Sequence, residues 1–180
     1  LSIRRQRQMC IRDRAQRMYR KNGKSVKRLR INLAIVKPEI TPLDLELLVI
    51  AALESYMRYW CDTFRIHRWR RDRLESTVTT NNEELLTEPM RAGHGVVVAL
   101  PHSGNWDHAG AFFCHRGFAL VTVAEVLKPA KLFEKFLAYR SDMGFEVLPL
   151  DSQAFPTLME RAREKRLIAL VADRDLSASG

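Results

Sequence analysis

Residues 96–110 read VVVALPHSGNWDHAG, and how they are read decides the fold. Val96 to Leu100, preceded by Gly95, form an apolar run rich in β-branched side chains with no polar alternation, the pattern of a strand buried on both faces. Pro101 stops the run. His102, Ser103 and Gly104 follow, and a helical pattern of about 105–116 begins directly after them. Three more short apolar runs lie downstream: FALVTVAE (118–125), FEVLPL (145–150) and RLIALVAD (166–173). Between them lie a helix opened by Pro129 and ending before Gly144, and another over about 156–165. Strands alternating with helices across short connections predict an α/β fold with a mostly parallel central sheet flanked by helices.

Upstream of Gly93 the pattern is helical. TPLD (41–44) is a strong start signal: Thr41 can cap, Pro42 suits the first helical position, and Asp44 favours the positive end of the helix dipole. Apolar residues from Leu45 to Trp60 then recur at helical spacing, predicting a helix to about Arg71, and a shorter one is expected over about 82–91. This divides the chain into a helical part, 15–92, and an α/β part, 93–180. The opening RRQRQMCIRDR resembles translated adapter sequence, so residues 1–14 are expected to be non-native, disordered and outside the fold. The closing ADRDLSASG stops just after a strand pattern, and the chain is read as truncated at its C-terminal side.

Charge is unevenly spread. Residues 1–40 hold 13 Lys/Arg and 2 Asp/Glu, a net +11, whereas the remainder holds 17 and 19, a net −2. Such an arm reads as a solvated tail, a nucleic-acid arm or a contact for an anionic membrane. Cys10, Cys61 and Cys114 are far apart and match no zinc spacing. No run of 18 apolar residues occurs, so no transmembrane helix is expected, nor a signal peptide.

In open α/β sheets ligands bind beyond the carboxyl ends of strands. His102 sits at such an end. Ser103 is placed to cap the next helix, Gly104 lets a ligand approach the backbone, and Asp107 falls in the first helical turn. An aspartate that holds one imidazole nitrogen orients the other as a base and stabilises imidazolium, which is equipment for deprotonating a hydroxyl. Spacing alone leaves other readings open. His102 and Asp107 can serve a local hydrogen bond and the helix dipole. Ser103 is not in G-x-S-x-G, which weakens a serine-hydrolase reading. A metal-dependent hydrolase would combine His102, Asp107, Asp173 and Asp175.

PHSGNWDHAG resembles the His-x4-Asp motif of the lysophospholipid and glycerol-phosphate acyltransferase superfamily. With SYMRYWCDTFR (55–65) and VADRDLS (171–177), it is similar to the phosphatidylinositol mannoside acyltransferases, kin to the lauroyl and myristoyl transferases of lipid A synthesis. The resemblance covers roughly 15–180 and implies a partial acyltransferase domain with the glycerol-phosphate-acyltransferase fold. It implies His102 as general base with Asp107 as its orienting partner, and Arg140 near an acceptor phosphate or the reacting centre. Ser103, Gly104, Asn105 and Asp175 are implied as substrate-binding residues. Asp173 and Arg174 are further candidates for a third block whose acidic residue can lie beyond Gly180. Trp106 can shape the pocket, and Glu125 and Lys128 could face the same crevice.

The resemblance further implies transfer of a fatty acyl chain from acyl-CoA, as co-substrate, to a hydroxyl of a membrane glycolipid, with a mannose of phosphatidylinositol mannoside as acceptor. A lipid A-type acceptor is the alternative. No metal and no bound cofactor are expected. The expected place is peripheral, on the cytoplasmic face of the plasma membrane, with residues 15–37 and FRIHRWRR (64–71) contacting an anionic surface. A basic nucleic-acid-binding module is the rival from another class, though no recognised nucleic-acid motif accompanies the basic residues.

Overall fold

The computed structural model describes residues 3–126 and 128–173. It divides into two compact units, Leu1–Asp62 and Thr63–Gly180. The first is helical: α1 (Ile3–Lys21), α2 (Lys24–Val36) and most of α3 (Pro42–Ile66). Asn22, at φ 44°, ends α1 in the left-handed region that asparagine tolerates better than most residues, and Gly23 then precedes α2. The start of α3 is the predicted one. The Thr41 hydroxyl accepts from the Asp44 backbone N–H at 3.2 Å and donates to the Asp44 carboxylate at 2.7 Å. Ala15, Val26, Val49 and Leu53 form the core of this unit. Residues 3–14, expected to be disordered and outside the fold, are helical. They contain no glycine or proline, and Arg, Gln and Met are good helix formers.

A partly buried polar network ties the three helices. Arg30 donates to Glu46 from Nε at 2.6 Å and from Nη2 at 2.9 Å, and the Tyr19 hydroxyl donates to the same carboxylate at 2.8 Å. The two donors hold the Glu46 carboxyl below the usual glutamate range, Arg30 contributing most.

The second unit continues with α4 (Arg71–Thr77) and α5 (Glu84–Arg91), and then alternates: β1 (Val96–Leu100), α6 (Trp106–His115), β2 (Leu120–Ala124), α7 (Ala130–Asp142), β3 (Phe145–Pro149), α8 (Ala154–Arg163) and β4 (Leu167–Val171). The sequence predicts one helix to Arg71. The structure instead ends α3 at Ile66 and starts α4 at Arg71, so the Arg/Trp-rich segment 67–70 is the corner between them.

All four strands are parallel, in the order β1-β4-β2-β3. The chain steps one way from β1 to β2 to β3 and back to β4. The right-handed crossover rule therefore puts α6 and α7 on one face and α8 on the other. The core gathers Ile66, Leu74, Ala111, Leu120, Phe145 and Leu167. β2 and β4 are the most buried strands. β1 is an edge strand and departs from the predicted burial on both faces: Val97 is 64% exposed, while Val96, Val98 and Leu100 turn inward. An edge strand has a neighbour on one side only, so a continuous apolar run does not guarantee two covered faces.

Candidate active site

Register builds the site. Leu100 of β1 is paired with Val171 of β4, and the Ala172 backbone N–H donates to the Leu100 carbonyl at 2.9 Å. Two residues beyond each partner stand His102 and Asp173. The Asp173 carboxylate meets both donors of this histidine: Oδ1 lies 2.6 Å from His102 Nδ1, and Oδ2 accepts from the His102 backbone N–H at 2.8 Å. These two hydrogen bonds, the side-chain one first, hold the Asp173 carboxyl below the ordinary aspartate range. An ionised carboxylate at Nδ1 fixes the tautomer with the proton on Nδ1 and leaves Nε2 as the basic nitrogen. Both side chains are partly open to solvent. The Trp106 ring meets the imidazole edge-on, with centroids 5.6 Å apart.

The carboxylate against Nδ1 is thus that of Asp173, where the sequence places Asp107. Asp107 is fully buried, and its Oδ1 accepts from Arg140 Nε at 2.9 Å. The Thr63 hydroxyl lies 3.5 Å from Oδ2. The difference has a local reason. α6 begins at Trp106, and its first turn aims Asp107 at the sheet–helix interior, which α7 supplies with a cation. Arg140, in the last turn of α7, is 6% exposed, and its guanidinium lies 4.1 Å from the centroid of the Phe136 ring one turn earlier. Expected near an acceptor phosphate or the reacting centre, it is engaged in a buried ion pair stacked on an aromatic face. A buried charge needs such a partner, because desolvation opposes it.

The remaining sequence candidates fall into place around this pair. Asn105, not Ser103, is the N-cap of α6; its side chain accepts from the His108 backbone N–H at 3.1 Å. Ser103 is exposed. Gly104 adopts φ 66°, and an added Cβ would meet nothing within 4 Å, so its backbone faces open space. His108 bonds Thr77 through Nε2 at 3.0 Å and meets the edge of Trp69, joining α6 to α4. Glu125 and Lys128 are exposed beyond β2. Arg174 and Asp175 lie outside the described residues.

Beneath the motif a cavity of about 90 Å³ lies between α6 and the sheet. Its wall is almost wholly apolar: Val98, Leu100, Phe113, Leu120, Phe145 and Leu167 contribute to it. Trp106, Asp107 and Arg140 line it too. Trp106 therefore faces the imidazole and the apolar cavity at once. Among the described residues no three His, Cys, Asp or Glu side chains are grouped to hold a metal ion. No described helix is long and apolar enough to cross a membrane.

The significance of Asp173 is hard to reach from sequence. It lies 71 residues from His102, and only the parallel pairing of β1 with β4 joins them. Its signal in the sequence is an acidic residue directly after an apolar strand.

Residues 4–180 match the family model for bacterial lipid A biosynthesis acyltransferases. The chain is also 40% identical over 178 residues to the phosphatidylinositol mannoside acyltransferase of Mycobacterium tuberculosis (strain ATCC 25618 / H37Rv), covering 93% of this chain and 54% of that protein. It is 43% identical over 158 residues to the phosphatidylinositol mannoside acyltransferase of Mycolicibacterium smegmatis, covering 84% of this chain and 51% of that one. The chain spans about half the length of these curated relatives.

Proposed function

Because the chain belongs to the bacterial lipid A biosynthesis acyltransferase family, we propose that it carries the base-bearing part of an enzyme that transfers a fatty acyl group from a thioester, acyl-CoA, to a hydroxyl of a glycolipid. The acceptor proposed is a mannose hydroxyl of a phosphatidylinositol mannoside, the lipid named by the similar mycobacterial proteins. The observation that carries this reading is the contact between His102 Nδ1 and Asp173 at the carboxyl ends of two adjacent parallel strands.

The chemistry follows from that contact. Nε2 of His102 takes the hydroxyl proton as the acceptor oxygen attacks the thioester carbonyl. The negative charge of Asp173 favours the imidazolium that results. The carbon–sulfur bond then breaks, an ester forms, and imidazolium returns its proton to the CoA thiolate. No acyl-enzyme is required. Trp106 touches the imidazole and also lines an apolar cavity, and this supports a fatty chain as the group transferred. In this reading Asp107 and Arg140 are positioning residues that fix the first turn of α6, and with it the loop bearing His102.

The substrate is a lipid, so the enzyme is proposed to work peripherally at the cytoplasmic face of the plasma membrane. The deciding experiment is transfer of radiolabelled acyl chains from acyl-CoA to a panel holding phosphatidylinositol mannosides, lipid A precursors and lysophospholipids. Label on the mannoside supports the reading. Label on a lipid A precursor alone replaces the acceptor, and no His102-dependent ester in any arm overturns the activity.

A further inference from the structure

Trp106, Gly110 and Phe113 follow one another on one face of α6, about a turn apart, and all three line the cavity beneath the motif. The sheet forms the opposite wall. Leu100 and Val171, paired at the carboxyl ends of β1 and β4, line it at one end. Leu120, Phe145 and Leu167 line it at the other. They are the first residues of β2, β3 and β4 and stand in one row of the register. Along β4, Leu167 to Val171 spans about 13 Å. The cavity therefore runs along the strands as a narrow slot, with Trp106, the residue that meets the His102 ring, among its lining.

Phe145 closes the far end. Its ring crosses from β3 to α6: a Cβ added to Gly110 would lie 2.4 Å from Cζ and 3.1 Å from each Cε. The ring tip thus rests on helix backbone, and glycine is what lets it reach. Phe145 is buried, in a core with Ala111, Leu120, Met143 and Leu167, so the ring is held in place by close packing. Midway along the slot the sheet contributes Thr122 and Ala169, whose short side chains leave the space between α6 and the sheet open. Asp107 and Arg140 also reach the slot, but they are bonded to each other.

We propose that Phe145, seated on Gly110, sets the length of the acyl chain this protein accepts. The methylenes lie between α6 and the short side chains of Thr122 and Ala169, and carbons beyond the depth of the slot meet the Phe145 ring. The proposal rests on the acyl-transfer reading above and deepens it, adding a residue that determines chain length to the class of group transferred.

The test uses the full chain and two variants that change the slot in opposite senses. Phe145→Leu opens the far end, and Ala169→Leu fills the middle. Calorimetry measures binding of S-hexyl-, S-decyl- and S-hexadecyl-CoA, thioethers that cannot be transferred. Competition among hexanoyl-, decanoyl- and palmitoyl-CoA gives the same length ratio from transfer to phosphatidylinositol mannoside. Phe145→Leu is expected to raise the preference for the longest chain over the shortest by at least about tenfold, the effect of two further buried methylenes. Ala169→Leu is expected to lower it by a similar factor. Urea unfolding identifies the folded variants, and either one that folds decides the outcome: an unchanged or reversed length ratio overturns the role of Phe145. If neither variant folds, the slot is packed core and the proposal falls as well. A wild-type chain that neither binds a thioether nor transfers any acyl group overturns the acyl-transfer reading itself.

Discussion

Asp173 holds His102 by two atoms at once: Oδ1 lies 2.6 Å from Nδ1, and Oδ2 accepts the backbone N–H at 2.8 Å. The ring is thereby fixed to the loop that carries it, and the loop to the end of β4. A single carboxylate sets tautomer, orientation and backbone position together, which makes it the point where small changes have large effects.

Removing the base or its partner separates these roles. His102→Ala should lower transfer by at least about a hundredfold, the usual contribution of a positioned base. Asp173→Asn keeps the shape but favours the wrong tautomer, and should lower kcat far more than it raises KM for acyl-CoA. Steady-state kinetics on folded variants check both, and wild-type kcat in Asp173→Asn would remove the orienting role.

The acid limb of the stability profile carries the same signature. The folded-state pKa of Asp173 is depressed, so its contribution is present above the ordinary aspartate value and is lost as pH falls through the folded one. Urea unfolding from about pH 6 down to 3 should show a shallower loss for Asp173→Asn than for wild type. Parallel curves would mean that the contact contributes nothing to folding.

The Asp107–Arg140 pair should matter most to the fold. Arg140→Ala leaves a fully buried carboxylate without its cation and is expected to cost about 3–5 kcal/mol, measured as a lower urea midpoint. Arg140→Lys should not restore it, because lysine lacks the planar group that lies over Phe136. A lysine variant as stable as wild type would show that charge alone suffices.

Gly110 marks a close approach of α6 to the sheet. A Cβ there would sit 2.4 Å from Phe145 Cζ, so Gly110→Ala should destabilise by about 1–3 kcal/mol despite alanine's better helix propensity. Phe145→Leu should recover part of that loss in the double variant, a coupling that a double-mutant cycle measures. Simple additivity would count against the contact.

Thiol chemistry distinguishes the cysteines. Burial pushes the Cys114 thiol up to about 11, so at pH 8 it is held as the unreactive thiol. Cys10 is exposed. Iodoacetamide at pH 8 should label Cys10 and leave Cys114 unmodified until the protein unfolds, as peptide mass mapping can follow. Equal labelling in the native protein would place Cys114 at the surface.

The alternation of strands and helices from Gly95 onward was legible in the sequence because each element reports its own burial. β-branched runs between proline and glycine can satisfy their backbones only as strands, and Thr41-Pro42 starts a helix wherever it is placed. His102 stood out for the same local reason, as a polar residue at the end of an apolar strand. What local pattern could not supply was partnership. Strand order is set by which apolar faces cover each other across the chain, and only the return of β4 beside β1 delivers Asp173 to His102. The first turn of α6 aims Asp107 inward, where α7 brings Arg140 to meet it. Val97 lies open because β1 falls at the edge of the sheet, a fact of order rather than of composition. Side-chain type and local spacing are fixed along the chain, but contacts between residues 33 and 71 positions apart arise only when the sheet closes its register.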